Sequence, residues 1–471
     1  MRANGLVWVG VLLALGVRGP AAAQEMAADT RAKVDAAIRQ VVEKTGVPSA
    51  SVGVVEGGRV VFAQAYGSAR LKPERKAEAT MSYPVGSISK QFTATCILLL
   101  EEDGKLTLDD TVSRWYPGLT RASEVTLREL LSHTSGYEDY APQDYTIPAW
   151  TRPNDPEKLV REWAGKPLDF DPGTQWQYSN TNFVLAALIV QKASGMPYFD
   201  FLRKRVLDPL GMRAALNLDT DRAKLQVEGY ERRALAPLRP AVLEAPGWYF
   251  GDASLAMPVG ELLRWDIAVM NRTLLKPKQY AEFTENVALK NGKATGYGLG
   301  ISVLTQGGRQ VLEHSGEVGG FVAENLVVPE EKLAIAVLTN QEASSAAGEI
   351  AGAIGRILLA PVAVVVAPES ELLEETQIRK ILSGLEDGTI DRALFTEDAN
   401  FYFSAETLGD FSSSLKPLGT VTAVKKRQES LRGGMVYRGF TATFSGGTSV
   451  AVSTYSMKDG RLEQLLVEGK E

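Results

Sequence analysis

Residues 84–93 read PVGSISKQFT, and an apolar run follows at once through Phe92, Ala94, Cys96 and Ile97 to Leu100. Ser87 and Lys90 stand three apart where that run begins. Positions i and i+3 share one face of a helix, so the Ser87 hydroxyl and the Lys90 amine can meet. Ser87 would sit in the first turn, where free N–H groups and the helix dipole favour negative charge. Two readings compete. A serine cap needs no partner beyond the next helical N–H groups. A nucleophile needs a base, an orienting group and an oxyanion site elsewhere in the chain. Ser-x-x-Lys alone recurs by chance, so the remaining sequence decides.

The 471 residues are too many for one typical domain and suit a large domain followed by a smaller one. With 45% hydrophobic and 23% charged residues, disordered and fibrous classes drop out. The net charge of −6, without any basic block, gives no reason to expect a nucleic-acid partner. The single cysteine, Cys96, allows neither an internal disulfide nor a thiolate metal cluster, and its apolar surroundings place it in a core. At the N-terminus, Arg2, the apolar stretch 5–17 and the small residues Ala21 to Ala23 make up a signal peptide at 1–23, cleaved after Ala23. The alternative is an uncleaved anchor, but the run is short for a span and Arg18 closes it, so no stable membrane span is expected. The mature chain is expected in a bacterial periplasm or outside the cell.

Asp29 or Thr30 is expected to cap a first helix carrying Val34, Ile38 and Val41, stopped by Gly46. Residues 51–67 read as a hairpin turning at Gly57-Gly58. A helix-rich stretch runs from 107 to 290 and includes 126–136 and 180–195, each apolar at helical spacing and closed by glycine. Strands return at 297–304, 320–328 and 333–340, and a helix covers 345–359. The fold class is α/β (α+β). N- and C-terminal strands close one antiparallel sheet flanked by helices, with a helical lobe between them. This main domain takes residues 24–360 and is expected to fold without the tail. Residues 361–370 form a linker, and 371–471 a small α+β domain, helical at 372–386 and 405–415, with strands turning at Gly433-Gly434, Gly446-Gly447 and Asp459-Gly460.

Downstream of Ser87 and Lys90 come Tyr178-Ser179-Asn180, just before a helix, and His314-Ser315-Gly316 at a strand end. With these three motifs in order, residues 30–358 resemble the serine β-lactamase and penicillin-binding-protein superfamily. The resemblance is to its class-C-like branch, which holds class C β-lactamases, D,D-carboxypeptidases, D-aminopeptidases and esterases. The stretch LLSHTSG at 130–136 strengthens it. It implies a β-lactamase-like fold and an exported serine hydrolase that works through an acyl-enzyme without a cofactor. Ser87 is then the nucleophile, and Lys90 and Tyr178 relay its proton; which of the two is the base stays open. A cation beside Tyr178 would favour its phenolate. Asn180 is expected to hydrogen-bond Lys90 or a substrate amide, and His314, Ser315 and Gly316 to line the substrate's strand edge. The N–H groups of Ser87 and Glu317 are expected to form the oxyanion hole. His133 reads as structural. The C-terminal unit is similar to small cone-shaped domains of the nuclear-transport-factor-2-like kind.

No Gly-x-Ser-x-Gly elbow surrounds Ser87, which excludes the α/β-hydrolase plan. Two histidines cannot supply the usual zinc-hydrolase ligand set. The rival reading is a penicillin-recognising sensor or scaffold without turnover. Among enzymes, class C β-lactamases usually carry Lys-Thr-Gly where this chain has His-Ser-Gly, which favours peptidase or esterase chemistry on D-amino-acid peptides or short esters over β-lactams. A histidine is largely uncharged at neutral pH, so weak carboxylate selection is expected, improving as the pH falls toward 6 and His314 protonates. No arginine is assigned to the site by motif. The partner is a small-molecule or peptide substrate, and the oligomeric state is left open.

Overall fold

The computed structural model describes residues 25–359, 373–432 and 434–470. The signal peptide, the linker and Gly433 of the first C-terminal turn lie outside the described residues.

Helix α1 (Ala28–Thr45) begins one residue before Asp29, so neither Asp29 nor Thr30 caps it. Its N-cap is Ala27, without a side-chain cap, and Asp29 lies within the first turn. Neighbouring contacts fix the start instead: Met26 is buried and its N–H donates to Val61 O at 3.4 Å. The helix does end at Gly46, in the left-handed conformation. Strands β1 (Ser49–Glu56) and β2 (Arg59–Leu71) make the expected hairpin, and β3 (Glu74–Lys76) extends it.

Helix α2 (Ser89–Glu102) is buried on every side from Ser89 to Leu100. A helix buried all round has no face on which to leave a polar group unpaired. Its polar side chains are accordingly bonded: Gln91 Nε2 donates to Asn325 at 3.1 Å and Gln91 Oε1 accepts from Trp265 at 2.8 Å. Thr93 donates to Gly251 O at 2.5 Å. Cys96 is fully buried, as its surroundings predict.

In 126–136 the structure departs from expectation. Helix α3 (Leu127–Leu131) carries a Thr126/Glu129 capping box but stops five residues before Gly136. His133 is left-handed, at φ 59°, and the turn carries its ring toward residues 178–179. Helix α4 (Asn180–Ser194) ends at Gly195 as expected, and α5 (Val259–Asn271) follows. The C-terminal half of the sheet holds β4 (Ser302–Gln306), β5 (Arg309–Val318), β6 (Phe321–Val328) and β7 (Leu333–Thr339), and α6 (Ala346–Leu358) closes the domain. The strand expected at 297–304 begins only at Ser302, because Gly298 packs on Phe283 O and Gly300 turns with φ 77°.

The order β3-β2-β1-β7-β6-β5-β4 joins N- and C-terminal strands through the β1–β7 pair. Among the described residues of the C-terminal unit, α7 (Leu373–Glu386), α8 (Glu397–Tyr402) and α9 (Ala405–Leu415) pack on an antiparallel sheet. Its strands are β8 (Val421–Arg432), β9 (Met435–Phe444), β10 (Ser449–Ser456) and β11 (Leu462–Lys470), in that order. Helix α8 was not anticipated from sequence. No helix among the described residues is long and apolar enough to cross a membrane.

Candidate active site

Ser87 lies in a single 3-10 turn, Gly86–Ile88, that runs straight into α2. The chain reaches it through Tyr83–Pro84, paired with Leu255–Met257, and Val85 N donates to Leu255 O at 3.0 Å. Gly86 has φ 52°, where a side chain is strained, and a Cβ there would lie 2.5 Å from Glu317 N. Across the gap, a Cβ on Gly316 would run into Val85 O and lie 3.0 Å from Ser87 N. The two glycines thus let the turn and β5 meet backbone to backbone, bringing the N–H groups of Ser87 and Glu317 into one neighbourhood.

Lys90 is fully buried, and its Nζ donates to Ser87 Oγ at 2.8 Å, Asn180 Oδ1 at 2.7 Å and Asp252 O at 3.1 Å. Burial lowers the amine to about 8, against the opposing pull of the Asp252 and Asp139 carboxylates. Asn180 is held by Asp139, which accepts from its backbone N at 2.8 Å and its Nδ2 at 3.2 Å. The Tyr178 hydroxyl lies near enough to Ser87 for the serine to lower its pKa. The Tyr178 ring lies 4.2 Å from that of His133 and 5.0 Å from Lys90 Nζ. Burial pushes the Tyr178 hydroxyl well above its ordinary value, and Ser87 and Arg432 only offset this. The expectation that a neighbouring cation would favour the phenolate is therefore corrected: burial dominates, and Lys90 is the group nearer neutrality. His133 Nδ1 accepts from Ser179 N at 3.1 Å, a structural role.

His314, Ser315, Gly316 and Glu317 lie in sequence along β5. His314 Nε2 bonds the Tyr297 hydroxyl at 2.8 Å, and its Nδ1 bonds Ser315 O at 2.6 Å. Burial, and then the Lys90 charge, lower its pKa to about 3. His314 thus stays neutral through pH 6, and the expected gain in anion binding on its protonation does not hold. Glu317 turns its carboxylate onto Ala343 N, at 2.6 Å.

A family model described as Beta-lactamase matches residues 34–358. The chain belongs to the Beta-lactamase family. It is a serine hydrolase of that family. Penicillin-binding protein 4* of Bacillus subtilis (strain 168) is 30% identical over 312 residues, covering 62% of this chain and 68% of the relative. A D-aminopeptidase of Gluconobacter oxydans (strain 621H) is 27% identical over 416 residues, 85% of this chain and 76% of its own. Among solved structures, a D-stereospecific amidohydrolase from Streptomyces sp. superposes with a TM-score of 0.58 at 27% identity, covering 68% of this chain and 96% of that one. The octameric penicillin-binding protein homologue from Pyrococcus abyssi shares the fold, with a TM-score of 0.61 at 20% identity, over 93% of this chain and 99% of that one.

The structure adds to this β-lactamase-family site a residue that no motif flags. Arg432, the last residue of β8, comes from the C-terminal unit. Tyr178 N donates to Leu431 O at 3.4 Å, and the Arg432 guanidinium lies 5.5 Å from the Tyr178 ring centre. Arg432 Nη1 donates to Asp144 at 2.8 Å and to the Tyr455 hydroxyl at 2.6 Å; Nη2 reaches Ala141 O at 3.4 Å. Arg432 divides the space around Ser87. On one side are Asn180 and Asp252; on the other, Trp176, His314, Gln428 and Tyr437. Asp139 and Asp252 also escaped the sequence reading. Arg432→Ala is expected to lower kcat/KM by about 10- to 10²-fold through loosened placement of Tyr178, with the far-UV spectrum unchanged. Unaltered kinetics would show that the C-terminal unit merely adjoins the site.

Proposed function

We propose that Ser87 attacks the acyl carbonyl of an amide or ester and forms an acyl-enzyme that water then hydrolyses. The observation carrying this reading is the Lys90 hydrogen-bond set. A neutral Lys90 keeps two N–H donations, to Asn180 Oδ1 and Asp252 O, and leaves its lone pair facing Ser87 Oγ. It accepts the Ser87 proton as the Oγ–C bond forms. The oxyanion then faces the N–H groups of Ser87 and Glu317, which need no reorganisation to receive it. Tyr178, protonated beside Ser87, gives its proton to the departing nitrogen or oxygen and is recharged from Lys90. Water repeats the cycle on the ester, returning Ser87.

D-amino-acid amides and short esters are the preferred substrates in this proposal, ahead of β-lactams. The neutral His314 supports it, as do the D-aminopeptidase and the D-stereospecific amidohydrolase among the relatives. The test compares kcat/KM for a D-amino-acid anilide, a short aryl ester and a cephalosporin. The anilide and ester should lead. A cephalosporin turned over near ~10⁸ M⁻¹s⁻¹ would make this a true β-lactamase, and a permanently acylated Ser87 would make it a sensor. Export, with Gln24 as the mature N-terminus, is also proposed on the pattern of residues 1–23; N-terminal sequencing of secreted protein that returned Met1 would refute it.

A further inference from the structure

We propose that the cleft between the main domain and the C-terminal unit, bordered by residues 144–146, is a binding site for an apolar monocarboxylic acid. Ser87 does not line this cleft, so the site stands whether or not Ser87 is a nucleophile.

The first observation is its shape and lining. The cleft holds about 420 Å³, within the roughly 300–1,000 Å³ of sites that take small organic molecules, and it lies where such sites collect, between two units. Its walls are mostly apolar. Ile147, Pro148, Pro240 and Val242 come from the main domain, and Phe401 and Leu466 from the C-terminal unit. Phe401 and Val242 are the most exposed large apolar side chains among the described residues, at 59% and 56%. Scattered singly over a surface, such residues would carry no message. Here both line one cleft. The two units are pinned beside it: the Tyr145 and Tyr402 rings lie 5.0 Å apart, the Tyr145 hydroxyl donates to Glu463 O at 2.9 Å, and Arg239 pairs with Asp410 at 2.5 Å. The cleft is therefore formed before any ligand arrives.

The second observation is its charge, which the apolar walls do not determine. Asp144, Glu231, Arg232, Arg233 and Glu342 line it. Asp144 accepts from Arg432 at 2.8 Å. Arg233 donates to Glu231 at 3.3 Å and to Glu406 at 3.1 Å. Glu342 accepts from Gly320 N at 2.6 Å, and burial pushes its carboxyl well above the usual carboxylate range, toward the neutral form. Arg232 is left over. Its Nη1 donates to Thr45 O at 3.1 Å, at the end of α1, and burial lowers its pKa with no carboxylate opposing. An arginine has five N–H donors, so that one bond leaves most of the fork unused. A cation partly withdrawn from water without a counter-ion is costly. The planar guanidinium suits a carboxylate. A doubly charged phosphate would set its second charge against Asp144 and Glu231. The complement of this cleft is thus an apolar body bearing one carboxylate.

Calorimetric titration of the full chain with 4-phenylbutyrate and with 4-phenylbutanamide, a neutral molecule of the same shape, tests both observations. The acid should bind, and the amide at least ~10-fold more weakly. Phe401→Asp, at an exposed position, should weaken the acid by at least ~10-fold and leave the melting temperature unchanged. Arg232→Met keeps the stem and should abolish the preference for acid over amide. Ser87→Ala should bind the acid as wild type does. Absence of acid binding at millimolar concentration, or equal affinity for acid and amide, overturns the proposal. So does acid binding that Phe401→Asp leaves intact or that Ser87→Ala abolishes, because the acid then sits elsewhere. If Arg232→Met does not fold, the acid–amide comparison on wild type and Phe401→Asp decides.

Discussion

Replacing Lys90 with alanine is expected to lower kcat/KM for an aryl ester by at least ~10²-fold and to erase the main pH dependence of the reaction. The amine is the group beside Ser87 that burial brings nearest to neutrality, at about 8. The sign follows from its chemistry. Protonated Lys90 has no lone pair, so wild-type kcat/KM rises about tenfold per pH unit below 8 and levels off above it. Tyr178, pushed upward by burial, contributes no deprotonated form in that range. Neutral His314, at about 3, adds no second limb near pH 6. A pH–rate profile on wild type and Lys90→Ala checks each part. A wild-type limb centred near 6 would assign the base elsewhere. A melting curve on the variant separates the chemical loss from the effect of leaving Asn180 Oδ1 without its donor.

Gly316→Ala is expected to cost about 10²- to 10³-fold in kcat while the protein stays folded. The added methyl would overlap Val85 O and crowd Ser87 N. Those atoms are backbone, so no side chain can swing aside, and β5 must move away from the Ser87 turn. That separates the Ser87 and Glu317 N–H groups, and an oxyanion donor displaced by even a fraction of an ångström loses most of its advantage. Because the strain acts on the transition state's oxygen, kcat should fall more than KM rises. A variant with normal kcat would mean that the two N–H groups do not share an oxyanion.

The parts of this site that the sequence reveals are those encoded locally. Ser87 and Lys90 are one helical turn apart, Tyr178 and Asn180 bracket a helix start, and 314–317 run along one strand; in each case the spacing is itself the geometry. Arg432 has no such spacing. Its partner Asp144 lies 288 residues away, and β8 carries several charged residues between which sequence offers no choice. Asp252 is equally silent, since it reaches Lys90 only because Leu255–Met257 pairs with Tyr83–Pro84. The sheet was legible because continuous apolar strands at both ends of the domain need each other's hydrogen bonds. The misread boundaries have tertiary causes. The helix at 127–131 stops early where His133 turns to take Ser179 N, and α1 starts early where Met26 is tied to β2.

In the proposed reaction Ser87 carries the acyl group. One equivalent of a fluorescent penicillin, followed by intact-mass measurement and peptide mapping, tests it most directly. A single adduct is expected on the peptide containing Ser87, absent in Ser87→Ala, whose ester turnover falls with it. An adduct on any other residue, or full turnover by Ser87→Ala, would contradict it.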